Sequence, residues 1–172
     1  MKSITRKLLW SILSLIVFSV QAYAQEMTLD DSVLSPDGKK AYQELLKIDT
    51  FAIGGVGYGG VTSKGEEALI ILLKEKEAVS ALKALTEYAV PEGGLYGLFG
   101  LKVLKCDCFN EEFEKFINKP ESGERESRGR IKVAPGEAIT MSGCLIFSEK
   151  KVKIAEEIGS GEFDSYINQH FK

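Results

Sequence analysis

Apolar and polar residues keep helical phase over most of the chain between residues 35 and 119 and shift to strand-like alternation after residue 130. Ser63 followed three residues later by Glu66 spells a capping box, in which the serine accepts from a free backbone N–H and the glutamate reaches back to the Ser63 N–H. Residues 68–73 are all apolar and lie between charged flanks. Six successive residues point to every side of a helix, so this pattern predicts a helix covered on most sides, the centre of the domain. Ala78, Ala81, Leu82, Leu85, Tyr88 and Ala89 then fall at helical spacing, with Ser80, Lys83 and Glu87 on the other side. Pro91 suits the first turn of a third helix. Its Gly94, Gly97 and Gly100 recur every three residues, which leaves a bare strip where another backbone can come close.

Two further helices flank this group. Ser35-Pro36 starts one that runs from 36 to about 48. Phe109, Phe113, Phe116 and Ile117 make the apolar face of the other, which Pro120 stops, with Glu111, Glu112, Glu114 and Lys115 on a solvated face. Residues 120–130 are charged and read as an exposed loop. Beyond it Ile131, Val133, Ile139 and Met141 alternate with polar neighbours around a Pro135-Gly136 turn, and the phase slips at Gly143 as at a bulge. Ser148 is positioned to cap a last long helix containing Val152, Ala155 and Ile158, before a tail in which Phe163, Tyr166, Ile167 and Phe171 keep helical spacing.

The expected fold is therefore mainly α: a compact bundle of short antiparallel helices with a small β-hairpin near the C-terminus, forming one domain over 35–172. The three short helices between residues 63 and 105 resemble the helix-pair layout of HEAT-type repeats, in architecture only and without a second copy.

Residues 1–24 read as an export signal. Lys2, Arg6 and Lys7 form a basic start, residues 8–20 an apolar core, and Ala22-Tyr23-Ala24 a small-x-small cleavage site. The thirteen core residues are fewer than the roughly 20 that span a bilayer. Residues 25–34 are polar and without period, a flexible arm. The expected destination is the periplasm or the exterior by the general secretory route. Removing the signal's three basic residues leaves 19 basic against 25 acidic, a net charge near −6. An acidic chain without a basic patch excludes nucleic acid, and no membrane contact is expected once the signal is removed.

Candidate chemistry is sparse. Gly55, Gly57 and Gly60 satisfy the GxGxxG spelling, whose use is a tight strand-to-helix turn that brings a pyrophosphate onto backbone N–H groups. Here the preceding apolar stretch is only 51–53, the helix starts beyond the glycines, and no strand follows to supply an acid for a ribose. The segment reads as a glycine connector, and with Tyr58 it is a candidate binding surface beside the helical surface, with no cofactor implied. Cys106, Cys108 and Cys144 are the only cysteines. In an exported chain they suggest a disulfide from Cys144 to one of the pair. The sharper alternative is a redox or soft-metal site, with His170 as the sole histidine, at a spacing that matches no recognised metal motif. Ser80-x-x-Lys83 and Ser148-x-x-Lys151 both spell SxxK without the accompanying KTG or SDN, and no serine elbow is present, so no catalytic residue is assigned.

The function this pattern supports is a non-catalytic exported module that binds a protein partner. The alternative is a small-molecule or metal-binding protein, which would admit an enzyme, using the glycine segment and the cysteines.

Overall fold

The computed structural model describes residues 31–120, 123–127 and 131–171. The predicted export signal, most of the predicted arm and parts of the charged loop lie outside the described residues. Seven helices and two hairpins are present among those described. The helices are α1 (Pro36–Leu46), α2 (Lys64–Leu72), α3 (Ala78–Tyr88), α4 (Pro91–Val103), α5 (Phe109–Asn118), α6 (Lys151–Ser160) and α7 (Asp164–His170). The strands are β1 (Arg125–Ser127), β2 (Ile131–Val133), β3 (Glu137–Ser142) and β4 (Leu145–Lys150). The fold is mainly α with a small β part toward the C-terminus. A 3-10 turn, Asp31–Val33, precedes α1, and Leu34, which the sequence assigns to the arm, is buried in the core.

The centre of the molecule is α4, not the predicted α2. Ile71 of α2 reaches solvent, whereas ten consecutive residues of α4, from Glu92 to Leu101, are buried. The glycines permit this. A Cβ on Gly97 would sit 2.7 Å from the Leu82 carbonyl oxygen of α3, and one on Gly93 would overlap the Leu45 carbonyl oxygen at the end of α1. Gly93 and Gly97 thus hold two neighbouring backbones at close range, which is what three or more glycines in a helix require to offset about 1 kcal/mol each in helix propensity. The predicted strip is shifted in detail. Gly94 faces the Phe116 ring of α5, and Gly100 faces the Leu82 side chain.

The ends of α4 follow local rules. Lys105 takes a positive φ of 52°, and Lys105 and Cys106 donate to the carbonyls of Lys102 and Leu101, a Schellman closure with lysine in the place that glycine usually fills. At the start, Glu92 is fully buried, accepts from the Ile139 N–H at 2.7 Å and pairs with Arg125 at 2.8 Å.

The β part departs from the predicted single hairpin. Strand β1 lies inside the expected loop and pairs with β2, with Ser127 opposite Ile131. The buried Ser127 donates to the Asp49 carbonyl at 2.9 Å, which draws this segment inward despite its charge. Strands β3 and β4 form the second hairpin, from Glu137 opposite Lys150 to Ser142 opposite Leu145. Pro135-Gly136 therefore joins two hairpins, and Gly143, at a φ of 55°, is a turn where a bulge was expected. Ser148 lies within β4, so it does not cap α6, which starts at Lys151 behind Lys150. The backbone of Phe51 locks onto β3: its N–H donates to Ile139 at 2.8 Å, and its carbonyl accepts from Met141 at 3.1 Å.

Candidate functional site

The glycine segment folds as a hairpin tip rather than a strand-to-helix turn. Val56 and Val61 exchange backbone hydrogen bonds at 2.9 and 3.1 Å. Gly57 and Gly60 supply positive φ angles of 70° and 58°, and Gly55 packs against the Gly60 backbone. The four predicted residues Gly55, Gly57, Tyr58 and Gly60 thus share one loop, with the Tyr58 side chain fully exposed at its end. Helix α2 begins at Lys64, beyond the glycines.

A second tip lies beside the first. The Gly57 N–H donates to the Gly143 carbonyl at 2.8 Å, and Val56 bridges Gly143 in parallel sense. This contact places the β3–β4 turn against the glycine loop. The apolar residues around the two tips stay in water: Tyr58 and Val61 on one, Leu145, Ile146 and Phe147 on the other, with Leu145 71% exposed. Phe147 edges a hollow of about 290 Å³ that Phe51, Ile53, Ile154 and Phe163 floor with apolar groups. Among the described residues β4 pairs only with β3, so its other edge is open. The sequence marked the glycine tip. It missed residues 145–147, whose apolar run also reads as a buried strand.

The base of the loop is braced from inside. Ser63 caps α2, accepting from the Glu66 N–H at 3.1 Å, but the Glu66 side chain does not close the predicted capping box. It turns inward, accepts from the Gly54 N–H at 2.9 Å and from the Tyr166 hydroxyl at 2.5 Å, and is buried. Burial, followed by the hydrogen bond to Glu66, raises the Tyr166 phenol above its ordinary value. Tyr96 of α4 supports the other side: its hydroxyl accepts from the Ala52 N–H at 2.9 Å and lies 2.8 Å from the Ala52 carbonyl. Burial pushes this phenol up to about 12.

A cleft of about 540 Å³ opens at the loop's root, between the end of α1 and the start of α2, lined by Val56 and Val61 with Glu44, Lys47, Thr50 and Ser63. Its one serine hydroxyl already donates to the Ala52 carbonyl at 2.7 Å and accepts from the backbone, and no histidine or cysteine lines the cleft beside it. The SxxK pairs are also taken apart. Ser148 donates to Glu137 and Lys151 to the Lys119 carbonyl, while Ser80 donates to Glu77 and Lys83 pairs with Glu112. Glu112, predicted on a solvated face, is buried and accepts from Thr86 at 3.1 Å.

The cysteines pair differently from the expectation. The disulfide joins Cys106 to Cys108, and Cys144 is free and exposed at the β3–β4 turn. The Schellman turn after α4 places the two Cα atoms 5.1 Å apart, within bridging reach, which leaves Cys144 without a partner cysteine. His170 stacks on Tyr166 with ring centroids 4.2 Å apart. Among the described residues no group of three or more histidines, cysteines or acids is placed to hold a metal.

In comparisons with known proteins, no family model, curated protein or solved structure matches this chain.

Proposed function

We propose that the protein is a non-catalytic interaction module that receives an extended apolar segment of a partner polypeptide along β4. One observation supports this above the others: Leu145, Ile146 and Phe147 stand exposed in succession on a strand with an open edge, braced against the Tyr58 tip. Soluble proteins blunt such edges with charge or cover, because the free N–H and C=O groups template another strand. Here the first half of the edge is apolar and adjoins a hollow with an apolar floor, the combination that β-strand addition uses: main-chain hydrogen bonds for affinity and a pocket for alternate side chains. The helical part is then the scaffold for this edge. Its HEAT-like layout belongs to the same reading, supported by the short connection between α3 and α4 and their glycine-mediated packing. Export to the periplasm or exterior is also part of the proposal, on the strength of the N-terminal pattern.

The test places a photo-crosslinking residue at position 145 of the full chain, in the cells that make it, with a second variant carrying it at the exposed Lys74. A discrete product from position 145, absent from position 74 and lost on combining Leu145→Asp with Phe147→Asp, is the expected result. Peptide mapping then identifies the partner segment. Equal products from both positions, or none from 145, refute the reading, and a crosslink to a second copy of this chain would replace the partner by self-association.

A further inference from the structure

We infer that the Cys106–Cys108 disulfide is a redox-active pair that exchanges with an exposed dithiol of a polypeptide substrate. The bond has little structural task. It spans a single intervening residue, and a loop that short removes little freedom from the unfolded chain. The turn it crosses is already closed by the hydrogen bonds from Lys105 and Cys106 to the end of α4. What the bond lacks in structural role it has in access. Cys106 lines an open cleft of about 530 Å³ together with Lys102, Lys105, Asp107, Phe109 and Asp164, and both cysteines, packed at the edge of the core, keep part of their surface in solvent. Elsewhere in the molecule Cys144 is a lone thiol, and the buried acids Glu66, Glu92 and Glu112 already hold partners.

The local geometry assigns the two sulfurs distinct roles. Cys108 occupies the N-cap of α5 without a side-chain capping bond; the Phe109 N–H donates to the Cys106 carbonyl at 3.0 Å, and the Cys108 N–H donates to Cys106 Sγ at 3.3 Å. A thiolate released on Cys108 lies at the positive end of the α5 helix dipole, which favours negative charge there. Cys106 lines the cleft and Cys108 does not. The exchange then runs in two steps. A substrate thiolate attacks Cys106 Sγ; the Cys106–Cys108 bond breaks, its electron pair leaving on Cys108, and a substrate–Cys106 mixed disulfide forms. The second substrate thiolate attacks the substrate sulfur of that mixed disulfide and expels Cys106 as a thiolate. The substrate dithiol loses two electrons and becomes a disulfide, the two cysteines gain them, and the protons from the substrate thiols pass to solvent or to the cysteine thiolates. A small-molecule disulfide such as oxidised glutathione restores the bond by the same steps in reverse.

The experiment uses the full chain carrying Cys144→Ser, oxidised, against a reduced dithiol peptide at neutral pH, with oxidised glutathione as the reference oxidant. The expected result is peptide oxidation at least tenfold faster per disulfide than by oxidised glutathione. Adding Cys108→Ser, with the remaining Cys106 first charged as a mixed disulfide with glutathione, should let a single-thiol form of the peptide attack it and leave a stable peptide–Cys106 mixed disulfide. Adding Cys106→Ser instead should trap far less on Cys108. The circular dichroism and melting temperature of the reduced chain should stay close to those of the oxidised one. A rate no faster than the reference, equal trapping on both cysteines, or unfolding on reduction would overturn the proposal and return the bond to a structural role.

Discussion

A phenylalanine at position 96 keeps the ring at the centre of the molecule and removes one oxygen. That oxygen is the acceptor for the Ala52 N–H, at 2.9 Å, in a position where Ala52 is only 3% exposed. The Ala52 carbonyl keeps its hydrogen bond from Ser63, so the damage falls on one orphaned buried donor. Such a group costs about 1–3 kcal/mol, and we expect Tyr96→Phe to lose about 2 kcal/mol of stability near neutral pH. The pH dependence separates this from a simple packing defect. Burial holds the Tyr96 phenol at about 12 against an ordinary value of 10, with the hydrogen bonds to Ser63 and Ala52 opposing it in part. The unfolded chain therefore gives up this proton first. The stability linked to the neutral phenol is complete below about pH 10 and is lost as the pH rises toward 12, reaching a loss of about 1.4 kcal/mol near pH 11. The phenylalanine variant has no such loss, so the gap between the two proteins should narrow from about 2 kcal/mol near pH 8 to well under 1 kcal/mol near pH 11. Urea unfolding followed by circular dichroism at the two pH values reads both numbers. A gap that stays constant would show that the phenol does not titrate as described, and one below about 0.5 kcal/mol near pH 8 would show that the Ala52 N–H finds another partner.

Two further substitutions probe the interior. Gly93→Ala drives a methyl into the Leu45 carbonyl, and the overlap should outweigh the gain in helix propensity, leaving the domain less stable by about 2 kcal/mol or more in thermal unfolding; a neutral result would mean that α1 can retreat from α4. Arg125→Ala leaves the fully buried Glu92 with the Ile139 N–H alone on its bonded oxygen, and loss of the cation should cost about 3–5 kcal/mol, whereas Lys132→Ala, at an exposed pair with Glu124, should cost under about 1 kcal/mol in the same denaturation experiment.

The helices were legible because their periodicity is local. The apolar positions of α3 that the spacing predicts are buried, Tyr88 in part, and Ser35 and Ser63 cap the helices they were expected to start. What the pattern could not rank was centrality: the run at 68–73 is more apolar than α4, but the glycines of α4 let neighbours pack closer, and closeness rather than hydrophobicity decided which helix is wrapped. The buried glutamates escaped notice for a related reason. Glu66, Glu92 and Glu112 have the spacing of surface residues, and partners distant in sequence, Tyr166, Arg125 and Thr86 among them, help make their burial tolerable. For the candidate site, the glycine loop announced itself through composition. Its coupling to Gly143 and the exposure of residues 145–147 depend on a long-range contact that no local pattern encodes.

The backbone bonds between Phe51 and β3 also order the folding of the chain in time. They join residues nearly ninety positions apart, and a contact that distant is slow to form because a long loop must close before it gains anything. The helices from α1 to α5 have their pairings close at hand and can assemble while Phe51 waits. On a ribosome, a chain halted before Glu137 would present the Phe51 N–H and carbonyl unpaired to whatever strand came first. A later strand, β3, thus withdraws the earlier Phe51 segment from circulation.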